Sequence, residues 1–360
     1  MTQFDYISLR PLLVGRLSLF LRARDLHGGQ LPEFLAELAG SITRYREEGK
    51  RLFPVVFLCR DLDQLLTECG GEDPIELGSG DCNVVTARRM LKLCAPLGEG
   101  RSWVVFAEAK RMGVLRFGVF RAPRSAAQPT ALERIRASTN ASLAAVGIAQ
   151  LSEGVIEVRA SCGQRIFACL DGSAAPAEPP TQVIKDFIES LRLDAPSIAH
   201  DALGRFYYRV LIDVMQVWHG TLAAVVPVQA TQSSSLLADG TILSPVLDVT
   251  AHIIEHLRDG SEATALRLSS DANLIRGMLS ADGITVFRSD GAVVGYNAFL
   301  LRSSDSPLGA SPSLGGARQR AFAELSNLVG GELVAAFCRS QDGNAFCRSS
   351  WSLLRAEATT

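Results

Sequence analysis

The chain has 360 residues, 47% of them apolar, and a formal net charge of −2. That length suits two ordinary domains with sizeable cores. The even charge balance gives no footprint for a nucleic acid or an acidic membrane, and no apolar run is long enough to span a bilayer.

Leu12-Leu13-Val14 and Leu17-Ser18-Leu19-Phe20-Leu21 flank Arg16 and stop at Arg22. This predicts an amphipathic helix or a strand pair rather than a cleaved signal. Cysteines at 59, 69, 82, 94, 162, 169, 338 and 347 form no Cys-x-x-Cys pair. Reduced thiols in a cytoplasmic chain are the expectation.

Residues 31–50 predict a helix, with Pro32 in its first turn and Phe34, Leu35, Leu38 and Ile42 at helical spacing. Leu52 to Leu58 reads as a short buried strand, and Asp61 to Leu66 as a helix start. Glu72 to Asp81 reads as a Gly- and Pro-bearing loop; its Gly78-Ser79-Gly80 is too little for a phosphate fingerprint. Val84 to Leu93 reads as a helix, with Arg88, Arg89 and Lys92 on a solvated face. Trp103 to Ala107 and Val114 to Phe120 predict a hairpin. Leu143 to Leu151 reads as helix or strand, and Gly154 to Ala160 and Arg165 to Leu170 as strands. This half is therefore α/β, as a second, eroded unit of the C-terminal kind or as a partner-binding domain.

Asp171 to Thr181 holds three prolines among small residues and predicts a linker. The expected domains are 1–175 and 182–360. In the second, Val183 to Leu193, Ala202 to Trp218, Leu247 to Leu257 and Asp271 to Leu279 predict helices. Gly220 to Pro227 predicts a buried strand, and Ser233-Ser234-Ser235 a loop. His252-Ile253-Ile254-Glu255-His256 fits the inverted zinc-protease pattern, with histidines four apart on one helical face. The third ligand such a site requires is not marked, and a plain helix face explains the spacing.

From Ser280 to Phe346 the reading is strand, turn, strand, a loop carrying arginines into a helix, and a last strand at Leu333 to Phe337. Asp290-Gly291 is the expected hairpin turn, which leaves Asp282-Gly283 for function. Arg318 and Arg320 open a helix whose dipole disfavours cations there, which points to an anionic partner. Asp282-Gly283-Ile284 and Gly316-Ala317-Arg318-Gln319-Arg320 resemble the Asp-Gly-Ala and Gly-Thr-Arg-His-Arg motifs of bacterial diadenylate cyclases. His219-Gly220-Thr221-Leu222 resembles that family's earlier core strand. The stretch is similar in particular to the divergent DACNV-type branch, described as nucleotide sensors.

The resemblance implies an α/β chain of two domains, the C-terminal one a mixed sheet flanked by helices of the diadenylate cyclase (DAC) type. It implies a nucleotide or nucleoside triphosphate held by Asp282, Gly283, Gly316, Arg318, Gln319 and Arg320. Asp282 would be the catalytic and metal-holding residue of an active member, with Mg2+ or Mn2+ as cofactor. A facing second copy and an effector protein are the implied protein partners, in bacterial signalling or antiviral defence. Ala317, Gln319 and Ile284 depart from the motifs and remove a hydroxyl and a charged donor. Three functions follow as expectations: a nucleotide sensor first, a nucleotidyltransferase of altered specificity second, a scaffold last.

Overall fold

The computed structural model describes residues 10–26, 29–47, 49–110, 113–122, 130–138, 140, 142–152, 154–161, 163–170, 180–216, 220–229, 239–300, 317–340 and 344–350. The chain divides into two compact units, the first within Met1–Ala175 and the second containing Pro176–Thr360. Both are α/β with a mixed sheet flanked by helices. The Pro-rich linker expected at 171–181 and the Ser233–Ser235 loop lie outside the described residues, apart from Pro180 and Thr181 in a helix.

The first unit begins with α1 (Arg10–Arg22) and α2 (Leu31–Ile42). The helix expected over 31–50 stops at Ile42. Gly49 then takes φ +82°, and the chain forms a small hairpin of β1 (Arg46–Glu47) and β2 (Lys50–Arg51). The buried strand begins only after Pro54, as β3 (Val56–Cys59). It is followed by α3 (Leu62–Cys69), whose first turn is capped by Asp61 accepting from Gln64 N–H.

The loop expected at 72–81 is instead a strand, β4 (Glu72–Asp81). It lies at the sheet edge, where Pro74 removes no obligatory ladder bond. Its glycines permit close packing: a Cβ on Gly78 would stand 2.8 Å from the Phe117 ring. Then come α4 (Val84–Cys94), β5 (Trp103–Ala109), β6 (Val114–Arg121), α5 (Ala131–Ala137), β7 (Ala145–Ser152), β8 (Val155–Ala160) and β9 (Arg165–Cys169). The sheet order is β4-β6-β5-β3-β7-β8-β9. One face packs on residues of α1, α2 and α4, the other on residues of α3 and α5.

The second unit holds α6 (Pro180–Leu191), α7 (His200–Gln216), β10 (Thr221–Val226), β11 (Thr241–Leu247), α8 (Val249–Asp259) and α9 (Glu262–Ser280). It continues with β12 (Ile284–Arg288), β13 (Val293–Ala298), α10 (Ala317–Leu328), β14 (Ala335–Arg339) and β15 (Ala345–Ser349). Strands β11 and β15 have no counterpart among the sequence expectations. The sheet order is β11-β13-β12-β10-β14-β15. Alternation on the strands splits the core: Leu222, Ala224, Val226, Ile284 and Val286 pack towards Leu325 of α10. Phe287 and Phe337 point the other way, with the Phe187 ring 6.0 and 5.1 Å from theirs.

The units repeat one topology. β3 pairs parallel with β5 and antiparallel with β7, as β10 does with β12 and β14. The hairpins β5–β6 and β12–β13, the edge strands β4 and β11, and the pairs β7–β8 and β14–β15 match in order and direction. Among the described strands, β9 and the small hairpin β1–β2 have no counterpart in the repeat.

Candidate functional site

Asp282, Gly283 and Arg318 of the motifs meet at one corner of the second unit's sheet, at the amino ends of β10 and β12. Two buried threonines fix the approach. Thr221 Oγ1 donates to Leu279 O at 2.9 Å, and Thr285 Oγ1 donates to Met278 O at 3.1 Å. They satisfy carbonyls at the end of α9 and so hold the chain that delivers Asp282. Gly283 then turns the chain at φ +87°. A Cβ there would stand 2.9 Å from the backbone of Asn297 and Ala298, so both conformation and space require glycine.

Helix α10 brings Arg318 back to this corner. Arg318 Nη2 donates to Asp282 Oδ1 at 3.0 Å. The Asp282 side chain is 86% exposed and the Arg318 side chain 25%, so the pair sits at the rim with its charge partly in solvent. A pair so placed contributes roughly 0–1 kcal/mol and yields readily to a stronger anion. Gly220 lies beneath the arginine: a Cβ there would be 2.7 Å from Arg318 Cδ and 3.0 Å from Arg339 O. Arg339 is itself buried, and its Nε donates to Met215 O at 3.1 Å, near the end of α7. Cys338 Sγ donates weakly to Arg318 O at 3.9 Å, and burial pushes its thiol up to about 12.

The structure thus brings together Asp282, Gly283 and Arg318. Gln319 and Arg320 share the first turn of α10, with Arg320 exposed. Gly316 lies outside the described residues. That first turn contains no acidic residue, so two cations occupy the positive end of the helix dipole. Thr221, Thr285, Gly220 and Arg339 were not read as site residues. A buried threonine or arginine at a strand end gives no periodic signal; only the pairing register places it.

Among the described residues, Asp282 is the carboxylate of this corner that a divalent cation would find. Among the described residues no group of three His, Cys, Asp or Glu side chains forms a metal site. One carboxylate suits a magnesium-like ion only when ligand phosphates supply further oxygens.

The His252–His256 face of α8 is engaged by α9. His252 Nδ1 lies 2.8 Å from Asp271 Oδ2 and His256 Nδ1 2.8 Å from Thr264 Oγ1, while Glu255 pairs with Arg267. The zinc-protease spacing is here part of a helix–helix contact. The carboxyl ends of β10 and β12 are filled too: Tyr207 donates to Gly291 O at 2.6 Å and Thr250 to Asp290 O at 2.6 Å. Asp290-Gly291 makes the hairpin turn, with Gly291 N–H donating to Arg288 O at 3.0 Å. No helix among the described residues is long and apolar enough to cross a membrane.

No family model matches the chain, and neither a curated protein nor a solved structure matches it.

Proposed function

We propose that the second unit is a DAC-like nucleotide-binding domain that senses a nucleotide or nucleotide-derived signal. The observation that carries this reading is Arg318, placed in the first turn of α10, seated over Gly220 and paired with Asp282. A cation at a helix amino terminus opposes the dipole, and an incoming phosphate removes that conflict while accepting N–H groups of the turn. In this reading Arg318 and Arg320 hold phosphates, Gln319 contributes an amide, and Gly283 and Gly316 allow close approach. Binding would release Asp282 from Arg318. An effector protein and a second copy of the chain are the partners of such a sensor.

The exposed Asp282 carboxylate favours one second reading, a nucleotidyltransferase in which it holds Mg2+ or Mn2+ or the attacking hydroxyl. One experiment separates the two. The chain is incubated with each labelled ribo- and deoxyribonucleoside triphosphate and either metal, and both bound nucleotide and product are recorded. The sensor reading expects binding without product, with Arg318→Ala and Arg320→Ala each weakening affinity roughly 10- to 100-fold, the scale of a charged hydrogen bond. A dinucleotide product lost in Asp282→Asn would move the protein to the second reading. Unchanged affinity in both arginine variants would sink the site.

A further inference from the structure

The net charge of −2 is an average, and the first unit departs from it in one place. A cavity of about 1520 Å³ opens between α1, α2 with the turn after it, and β9. Arg10, Arg16, Arg44, Arg46, Arg88 and Arg165 line it. Glu37 is the one carboxylate among the described lining residues, and it is already held by Arg10 at 3.0 Å and Arg88 at 2.6 Å. The side chains of Arg16 and Arg44 make no hydrogen bond or ion pair among the described residues.

The chemistry is selective. All six cations are arginines and none is lysine. The planar guanidinium fork matches phosphate oxygens two at a time. The wall beside them is apolar: Leu12 and Leu19, 67% and 66% exposed, border the cavity with Phe20 and Phe167. The Arg165 guanidinium lies 5.1 Å from the Phe167 ring centroid, a cation–π pair on the β9 side of the cavity. The volume exceeds the ~300–1,000 Å³ of a typical small-molecule pocket. Set against Glu37, the six arginines leave a formal +5 on the described lining residues, more than one mononucleotide carries.

We infer that this cavity binds a short single-stranded oligonucleotide, its phosphodiesters on the arginines and its bases against the leucines and rings. Basic grooves with stacking surfaces bind single strands in this way, with little sequence preference. An acidic peptide would use the arginines but gives no role to the stacked ring. The inference shares no residue with the Asp282 corner.

The test is fluorescence anisotropy of the full chain with labelled eight-nucleotide oligo-dT and oligo-rU, between about 50 and 200 mM salt. Binding should weaken linearly in log–log form, by about 0.7 in slope per phosphate neutralised. Arg16→Ala combined with Arg44→Ala should flatten the slope by about 1.4, twice that value, and weaken binding at least tenfold at the lower salt. Arg16→Lys with Arg44→Lys, which keeps the charge, should restore the slope, and Arg318→Ala should change neither quantity. The inference is overturned if neither oligonucleotide binds at low salt, or if the double alanine variant leaves the slope intact. It is also overturned if a poly-glutamate peptide of equal length binds as tightly as the oligonucleotides.

Discussion

The two units build the same sheet and finish its matching corner in opposite ways. In the second, Gly220 precedes β10, Asp282 stands two residues before β12, and α10 opens with Arg318 and Arg320. In the first, Val55 precedes β3, Arg101 stands two residues before β5, and α5 opens under its own capping box. There Thr130 N–H donates to Glu133 Oε2 at 2.7 Å, and Glu133 N–H donates to Thr130 Oγ1 at 3.1 Å. One unit closes a helix amino terminus with its own carboxylate; the other crowds it with cations. The first unit instead gathers arginines beside β9, whereas in the second α6 packs on β14 and β15. A fold is thus carried by alternating core residues, and a site by a few residues where elements end.

The largest expected effect tests whether the units are stabilised independently. Glu157 and Arg159 on β8 pair with side chains 0% and 3% exposed, Arg159 Nε donating to Glu157 Oε1 at 2.9 Å. Glu157→Ala strands a buried guanidinium and should cost about 3–5 kcal/mol. Replacing both residues with methionine and leucine should recover most of that loss. Hydrogen exchange on the full chain should show protection falling in β7, β8 and β9 while β10 and β12 keep theirs. Equal loss in both sheets would mean that the repeat does not unfold as two units.

Next is Gly220→Ala, which gives the second corner part of what Val55 gives the first. The new Cβ meets Arg318 Cδ, which can swing away, and Arg339 O, which belongs to the sheet backbone. A cost of roughly 1–3 kcal/mol follows from overpacking. Nucleotide affinity should fall as Arg318 loses its seat, read by calorimetric titration beside a urea unfolding curve. Full affinity in the variant would detach the glycine from the site.

Legibility followed the same division between cores and ends. Helices with an apolar stripe, such as the one containing Phe206, Val210 and Val214, were readable from spacing alone. So was the Asp290-Gly291 turn. The edge strands were not: Glu72–Asp81 carries the Gly and Pro of a loop, and Thr241–Leu247 is largely exposed, so neither shows the alternation of a half-buried strand. Asp282 and Arg318 stood out through their order along the chain. Their 3.0 Å contact depends on strand register, as do the threonine ties from Thr221 and Thr285, and no local pattern encodes it. The arginine cavity was hidden for a related reason. Its cations come from five separate elements or turns and vanish into a near-neutral total.

The smallest expected effect bears most directly on why one corner is open and the other closed. Glu133→Ala removes one half of the capping box and should cost about 1 kcal/mol. For a unit of this size that lowers the thermal midpoint by about 2–4 °C. Nucleotide stoichiometry should stay at one per chain, because the first unit has Val55 before β3 where the second has Gly220, and has no Asp-Gly pair before β5. If the variant instead takes up a second nucleotide, the Glu133 carboxylate was standing where a phosphate can bind. The first unit would then hold an occluded version of the same site, and the contrast between the two corners would reduce to one side chain.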